Sequence, residues 1–173
     1  DASNGFRLNG VAGGDAAGQA VGTAGDINGD GFDDLLISAA MSDVQGKDAG
    51  YTYVIFGKAS GFSATLDLSS LDGSNGFRMN VDDEEGLLLG WSLSRAGDVN
   101  GDDIDDLIIG APTATNLNGT GAGNSYVVFG KTTGFDATLD LSNLNGSNGF
   151  KIEGSLEGAQ FGNGVSAGDI NGD

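Results

Sequence analysis

Apolar residues in this chain come in short bursts bounded by glycine and aspartate, and no burst carries the 3.6-residue period of a long helix. The bursts read as strands. Leu35-Leu36-Ile37 and Leu107-Ile108-Ile109 are continuous runs of the kind buried strands carry, and Tyr51-Thr52-Tyr53-Val54-Ile55-Phe56 is rich in aromatic and β-branched residues. The pattern predicts strands over 6–9, 19–25, 35–40, 51–56 and 77–81, then over 91–96, 106–111, 125–129 and 150–153. The segment 19–25 is made of small residues, Ala20, Val21, Thr23 and Ala24, as expected of a strand crowded near an axis. The connection 57–76 is longer than a hairpin needs, and Leu66, Leu68 and Leu71 within it predict a short extra strand or turn packing back on its own unit.

The bursts repeat. Ser-Asn-Gly-Phe occurs at 3–6, 74–77 and 147–150, spacings of 71 and 73, and Phe-Gly-Lys at 56–58 returns at 129–131. One unit is therefore about seventy residues with four strands, and the chain holds about two and a half units of an all-β fold. The divisions are 1–17, the end of a preceding unit and a loop; 18–81 and 82–154, each a unit with an acidic loop; and 155–173, the start of a third unit cut within its loop. That cut reads as a piece of a larger protein.

The acidic loops keep step with the repeat. Asp26-Ile27-Asn28-Gly29-Asp30-Gly31-Phe32-Asp33-Asp34 places oxygen-bearing side chains at positions 1, 3, 5 and 9, with glycines free to take the turns that wrap a backbone around a cation. Its second copy is Asp98-Val99-Asn100-Gly101-Asp102-Asp103-Ile104-Asp105-Asp106. The expected ligands are Asp26, Asn28, Asp30, Asp34 and the Phe32 carbonyl, then Asp98, Asn100, Asp102, Asp106 and the Ile104 carbonyl. A third copy supplies Asp169, Asn171 and Asp173 and stops there, without positions 7 and 9. Calcium is the expected ion, because several protein oxygens converge from a flexible loop where magnesium would keep much of its water. With no His and no Cys, zinc has no nitrogen or sulfur to bind. Position 12 is Ile37 or Ile109, so these are not EF-hand loops. Asp103 stands where the first loop has Gly31; if that position needs a positive φ, the second site binds less tightly.

A net charge of −18, from 25 acids and 7 bases, argues against nucleic acid or an anionic membrane surface as partner. Two divalent ions would bring it to −14, so a chain stripped of metal is expected to suffer self-repulsion. Asp82-Asp83-Glu84-Glu85 reads as a solvated loop and only secondarily as another cation site. Without cysteine, stability rests on packing and metal. There is no signal peptide and no run apolar enough to span a bilayer, and Asp1 reads as a cut point. Trp91 and the tyrosines 51, 53 and 126 read as packing residues, and Asn116 to Thr120 as a surface turn holding one glycosylation-type triplet at Asn118.

The order of a small-residue strand, a Gly-Asp-Ile-Asn-Gly-Asp-Gly loop and then Asp-Leu-Ile-Ile-Gly-Ala-Pro at 106–112 resembles the FG-GAP repeat of integrin α-subunit propellers and of bacterial surface or secreted proteins. The Phe-Gly of that motif is Phe161-Gly162, is replaced by Leu89-Gly90, and is matched in the first unit to Ala20-Val21-Gly22. The resemblance implies four-stranded antiparallel blades of a β-propeller, with calcium in the turn between the first and second strand of each blade. Propellers typically need 4 to 8 blades, so the chain is expected to be a fragment or part of an assembly whose exposed edges pair with copies of itself. The implied function is a calcium-binding, non-enzymatic module of an extracellular adhesion or matrix protein with a protein or glycan ligand at the cell surface. A self-assembling filament protein and an accessory propeller of a secreted hydrolase are the alternatives.

Overall fold

A computed structural model describes residues 4–43, 46–82 and 84–168. Its strands fall within a residue or two of the apolar bursts. β1 (Arg7–Asn9) precedes a first set, β2 (Val21–Gly25), β3 (Asp34–Ala39), β4 (Tyr51–Ile55), β5 (Thr65–Asp67) and β6 (Gly76–Asn80). The second set is β7 (Ser92–Gly97), β8 (Asp106–Ala111), β9 (Asn124–Val128), β10 (Thr138–Asp140) and β11 (Gly149–Glu153). Consecutive strands pair antiparallel, β2 to β3 to β4 to β6 in one sheet and β7 to β8 to β9 to β11 in the next.

Alternation along the strands gives each sheet two working faces. Leu36, Val54, Phe77 and Met79 on one face of the first sheet share a core with Leu107, Ile109, Tyr126 and Val128 of the second. Leu87 and Leu89, from the connection between the sheets, fill the space between them. The opposite face of the first sheet buries Ile37, Tyr51, Tyr53 and Ile55. The tyrosines are thus core residues, as their place in apolar strands predicts. Trp91 is half-buried in the turn that leads into β7, outside the strand proper.

The long connection behaves differently from expectation. Its leucines do pack on their own unit, Leu66, Leu68 and Leu71 against the Ile37 and Tyr51 cluster. Its backbone, however, pairs in parallel with the outer strand of the unit before: β5 with β1, and β10 with β6, the latter making the first sheet five-stranded. The segment is a strap between units, because its three-residue strand carries backbone donors and acceptors that the preceding edge can satisfy.

The first-unit counterpart of Leu89-Gly90 is Ala17-Gly18, and not Ala20-Val21-Gly22. Gly18 N–H donates to the Ser38 carbonyl at 2.8 Å as Gly90 N–H does to that of Gly110 at 3.0 Å. Val21 pairs with Ile37 as Leu93 does with Ile109, which puts Trp91 opposite Gln19 in the alignment of the units. The small residues of β2 reflect the close approach of β7: a side chain at Gly22 would begin 3.3 Å from Leu93 Cδ1.

Candidate metal centres

Both acidic loops leave the first strand of a sheet and enter the second, as the run of apolar residues after each loop predicts. The departure is built the same way twice. Pairing slips between Thr23 and Gly25 and again between Arg95 and Gly97, a bulge that turns the chain off the sheet into the loop. Gly29, Gly31 and Gly101 all lie at positive φ, and so does Asp103, at 66°. The position held by Gly31 therefore requires a left-handed residue, and the second loop fills it with aspartate at some cost in strain.

Within each loop the leading carboxylates lie over the loop's own N–H groups. Asp26 accepts from Asp30 N–H (2.9 Å) and Gly31 N–H (2.8 Å), Asn28 Oδ1 from Asp30 N–H (2.9 Å), and Asp30 from Phe32 N–H (2.9 Å). In the second loop Asp98 accepts from Gly101, Asp102 and Asp103 at 2.7, 3.0 and 2.8 Å, and Asp102 from Ile104 N–H at 3.0 Å. These N–H groups, that of Asp103 first, hold the exposed Asp98 carboxyl below the usual carboxylate range.

The ninth residue is placed otherwise. Asp34 and Asp106 are fully buried at the first position of β3 and β8. Asp34 accepts from Ile27 N–H at 3.1 Å and from Gly57 N–H at 2.7 Å. Asp106 repeats the bracket with Val99 N–H and Gly130 N–H, both at 2.8 Å. Here lies the reason for the repeated Phe-Gly-Lys: its glycine N–H caps the buried carboxylate, and a side chain on Gly57 would run into the Asp33 carbonyl at 2.4 Å. Burial pushes the Asp34 carboxyl up to about 7, against the two N–H bonds that lower it and with the charges of Asp30 and Asp26 raising it further. Asp106 is raised for the same first reason.

The donor set fits a hard cation in its chemistry. Each buried carboxylate has spent one lone pair per oxygen on an N–H and keeps the rest. Each sits beside further acidic side chains, and neither takes part in an ion pair among the described residues. No three acidic side chains among the described residues form a metal cluster as they stand, since those of the loops are engaged with the backbone. The Phe32 and Ile104 carbonyls belong to the same two turns. Asp169, Asn171 and Asp173 lie outside the described residues, as does Asp83 of the Asp82–Glu85 segment.

One acidic residue links the loops. Asp105, at position 8 of the second loop, accepts from Asp26 N–H of the first at 2.8 Å and pairs with Arg95 at 2.6 Å. Lys131 N–H, next to the glycine that caps Asp106, donates to the Ile27 carbonyl at 3.0 Å. From sequence alone Asp105 is a loop residue outside the expected ligand set, because the contact spans two units. Away from the loops, Asn116 and Asn118 both donate to the Gly154 carbonyl, at 3.2 and 2.9 Å, so the turn read as plain surface clips the end of β11.

Comparison with known proteins agrees with the loop and strand order. Residues 17–55 and 89–128 match the FG-GAP repeat, and the matches begin at Ala17 and Leu89, each followed by the equivalent glycine. The chain is 36% identical over 118 residues to a phosphatidylinositol-glycan-specific phospholipase D of Dictyostelium discoideum, covering 61% of this chain and 12% of that protein. It is 37% identical over 95 residues to integrin alpha-2 of Mus musculus (54% and 7%). To integrin alpha ina-1 of Caenorhabditis elegans it is 33% identical over 130 residues (72% and 11%). The chain thus spans about a tenth of the length of these relatives. With two matched repeats and integrin α relatives, the chain belongs to the FG-GAP repeat proteins.

Proposed function

We propose that this chain is a calcium-binding, non-enzymatic module of an extracellular adhesion or matrix protein. One ion would be held by Asp26, Asn28, Asp30, the Phe32 carbonyl and Asp34, and a second by Asp98, Asn100, Asp102, the Ile104 carbonyl and Asp106. Asp169, Asn171 and Asp173 would start a third. The observation that carries the reading is the pair of buried carboxylates, Asp34 and Asp106, each at the head of a strand beneath an acidic loop with no ion-pair partner among the described residues. A buried charge so placed costs stability unless a counter-charge joins it. A bound divalent cation supplies that counter-charge and ties each loop to the strand that follows. Asp34 and Asp106 do the positioning, since their N–H bonds fix the loop start to the Phe-Gly-Lys segment two strands away.

The integrin relatives support the reading of a surface setting with a protein or glycan ligand, and the two matched repeats support that of blades belonging to a propeller. No helix among the described residues is long and apolar enough to cross a membrane. An accessory role beside a hydrolase domain is the second reading, favoured by the phospholipase relative. Thermal unfolding in calcium and in chelator tests the first. Calcium at about a hundred times its Kd should add about 2.7 kcal/mol for each filled site, or roughly 5–10 °C per site for a chain of this size. An unchanged melting temperature would defeat it.

A further inference from the structure

Two hydrogen-bonded tethers join the candidate metal centres. Asp34 Oδ2 accepts from Ile27 N–H at 3.1 Å, the Ile27 carbonyl accepts from Lys131 N–H at 3.0 Å, and the preceding N–H, that of Gly130, donates to Asp106 Oδ1 at 2.8 Å. One buried carboxylate thus reaches the other through three hydrogen bonds, by way of Ile27 in the first loop and the Gly130–Lys131 link of the second unit. The other tether runs beside it. Asp105, next to Asp106 in the chain, accepts from Asp26 N–H with Oδ2 at 2.8 Å, while Arg95 holds its Oδ1 at 2.6 Å. The units approach closely enough here to forbid side chains: at Gly25 one would run into the Asp105 carboxylate, and at Gly130 it would start 2.9 Å from the Ile27 carbonyl. Both ends of each tether lie among the described residues, with the two units in place.

We propose that Asp105 and the Gly130–Lys131 link are positioning groups of the first metal centre, supplied by the second unit, and that they make the two centres fill cooperatively. The inference rests on the calcium reading and adds to it a coupling between the sites. Asp105 immediately precedes Asp106 at the head of β8, and Asp106 is both the expected ninth ligand and the acceptor for Gly130 N–H. Without an ion, Asp106 is a buried carboxylate beside Asp98 and Asp102, and the repulsion loosens the strand head. An ion there relieves the repulsion and fixes the strand head, and with it Asp105 and the Gly130 N–H. The Asp26 N–H and the Ile27 carbonyl are then held before the first centre takes its own ion, so the first loop has less freedom left to lose.

Fixing the backbone of one residue in advance is worth about five- to thirtyfold in affinity, and a coupling on the order of tenfold is expected. It is reciprocal, since linkage makes the first ion raise the affinity of the second by the same factor. Repulsion between two bound ions opposes it, but Asp30, Asp98 and Asp102 are exposed, where water and salt screen their surroundings.

Calorimetric titration with calcium chloride reads the coupling, on the full chain and on variants that disable one centre through an exposed carboxylate, Asp30→Ala for the first and Asp102→Ala for the second. The product of the two native association constants should exceed the product of the two measured singly about tenfold. Asp105→Ala leaves every expected ligand in place, and in that background the ratio should fall to about threefold or less, the Lys131 bond alone remaining. The long-range effect of removing one loop charge is the same in both backgrounds, so only the tether moves the ratio. Hydrogen exchange gives a second readout. In Asp30→Ala calcium reaches only the second centre, yet exchange at the Asp26 N–H, whose acceptor is Asp105, should slow about tenfold relative to the same chain in chelator. Adding Asp105→Ala should abolish that slowing. Two ions that bind independently, a ratio unmoved by Asp105→Ala, or an Asp26 N–H indifferent to the second centre overturns the coupling and leaves the calcium reading standing. A native chain that takes up no calcium overturns both.

Discussion

The two acidic loops have nearly the same residues and unequal surroundings. Ile27, second in the first loop, is wholly buried, while its counterpart Val99 is 50% exposed. Asp26 is half-buried and Asp98 exposed. The cause is the second unit, whose Asp105 and Lys131 reach across to hold the Asp26 N–H and the Ile27 carbonyl. No described residue does the same for Asp98 and Val99. Loop chemistry is thus written within one unit, and loop rigidity is supplied by the next.

Substitution at the second position should open the widest gap between the loops. Ile27→Ala removes a buried side chain between units and should cost about 2–5 kcal/mol, whereas Val99→Ala should stay within about 0.5 kcal/mol, both read by denaturant unfolding. Next comes pH. In chelator, Asp34 binds its proton more tightly folded, at about 7, than unfolded, near its ordinary 3.8. Its contribution is therefore favourable at low pH, and stability should fall as pH rises from about 4 to about 7. Asp34→Asn should flatten that part of the profile, and a wild-type profile that rises through this window would contradict the burial argument.

Asp105→Ala should cost about 1–3 kcal/mol by leaving the Asp26 N–H without its acceptor. Hydrogen exchange should then speed up at Asp26 and hardly change at Val99, whereas Asp33→Ala, at the same place in the first loop but exposed, should leave both slow. The smallest effect is expected at Asp103. Replacing it by glycine relieves a left-handed residue, worth about 0.5–1 kcal/mol, and should bring the calcium affinity of the second loop towards that of the first.

What the sequence made legible was everything that repeats within one unit. Short apolar bursts located the strands to within a residue or two, since an alternating or continuous run has few other uses in a glycine-rich chain. The places of Asp26, Asp34, Asp98 and Asp106 at the loop start and strand head were readable for the same reason. Contacts between units were not. The strap looked like a local excursion because Leu66, Leu68 and Leu71 do pack at home, and only its backbone, which leaves no mark on composition, pairs with the neighbour. The Phe-Gly-Lys recurrence was visible as a spacing, but its purpose lies in an N–H group that no side chain announces. The Ala17-Gly18 equivalence was missed because the first unit replaces phenylalanine with alanine, leaving only a glycine in a region full of them.

The most direct test is a count of bound calcium by equilibrium dialysis on the wild-type chain, on Asp34→Asn, on Asp106→Asn and on the double variant. Each single substitution should remove one ion per chain, the pair should remove two, and the ion lost with Asp34 should be the tighter of the two. A calcium count that is the same in all four proteins would contradict the assignment of these buried carboxylates as the heads of two metal centres.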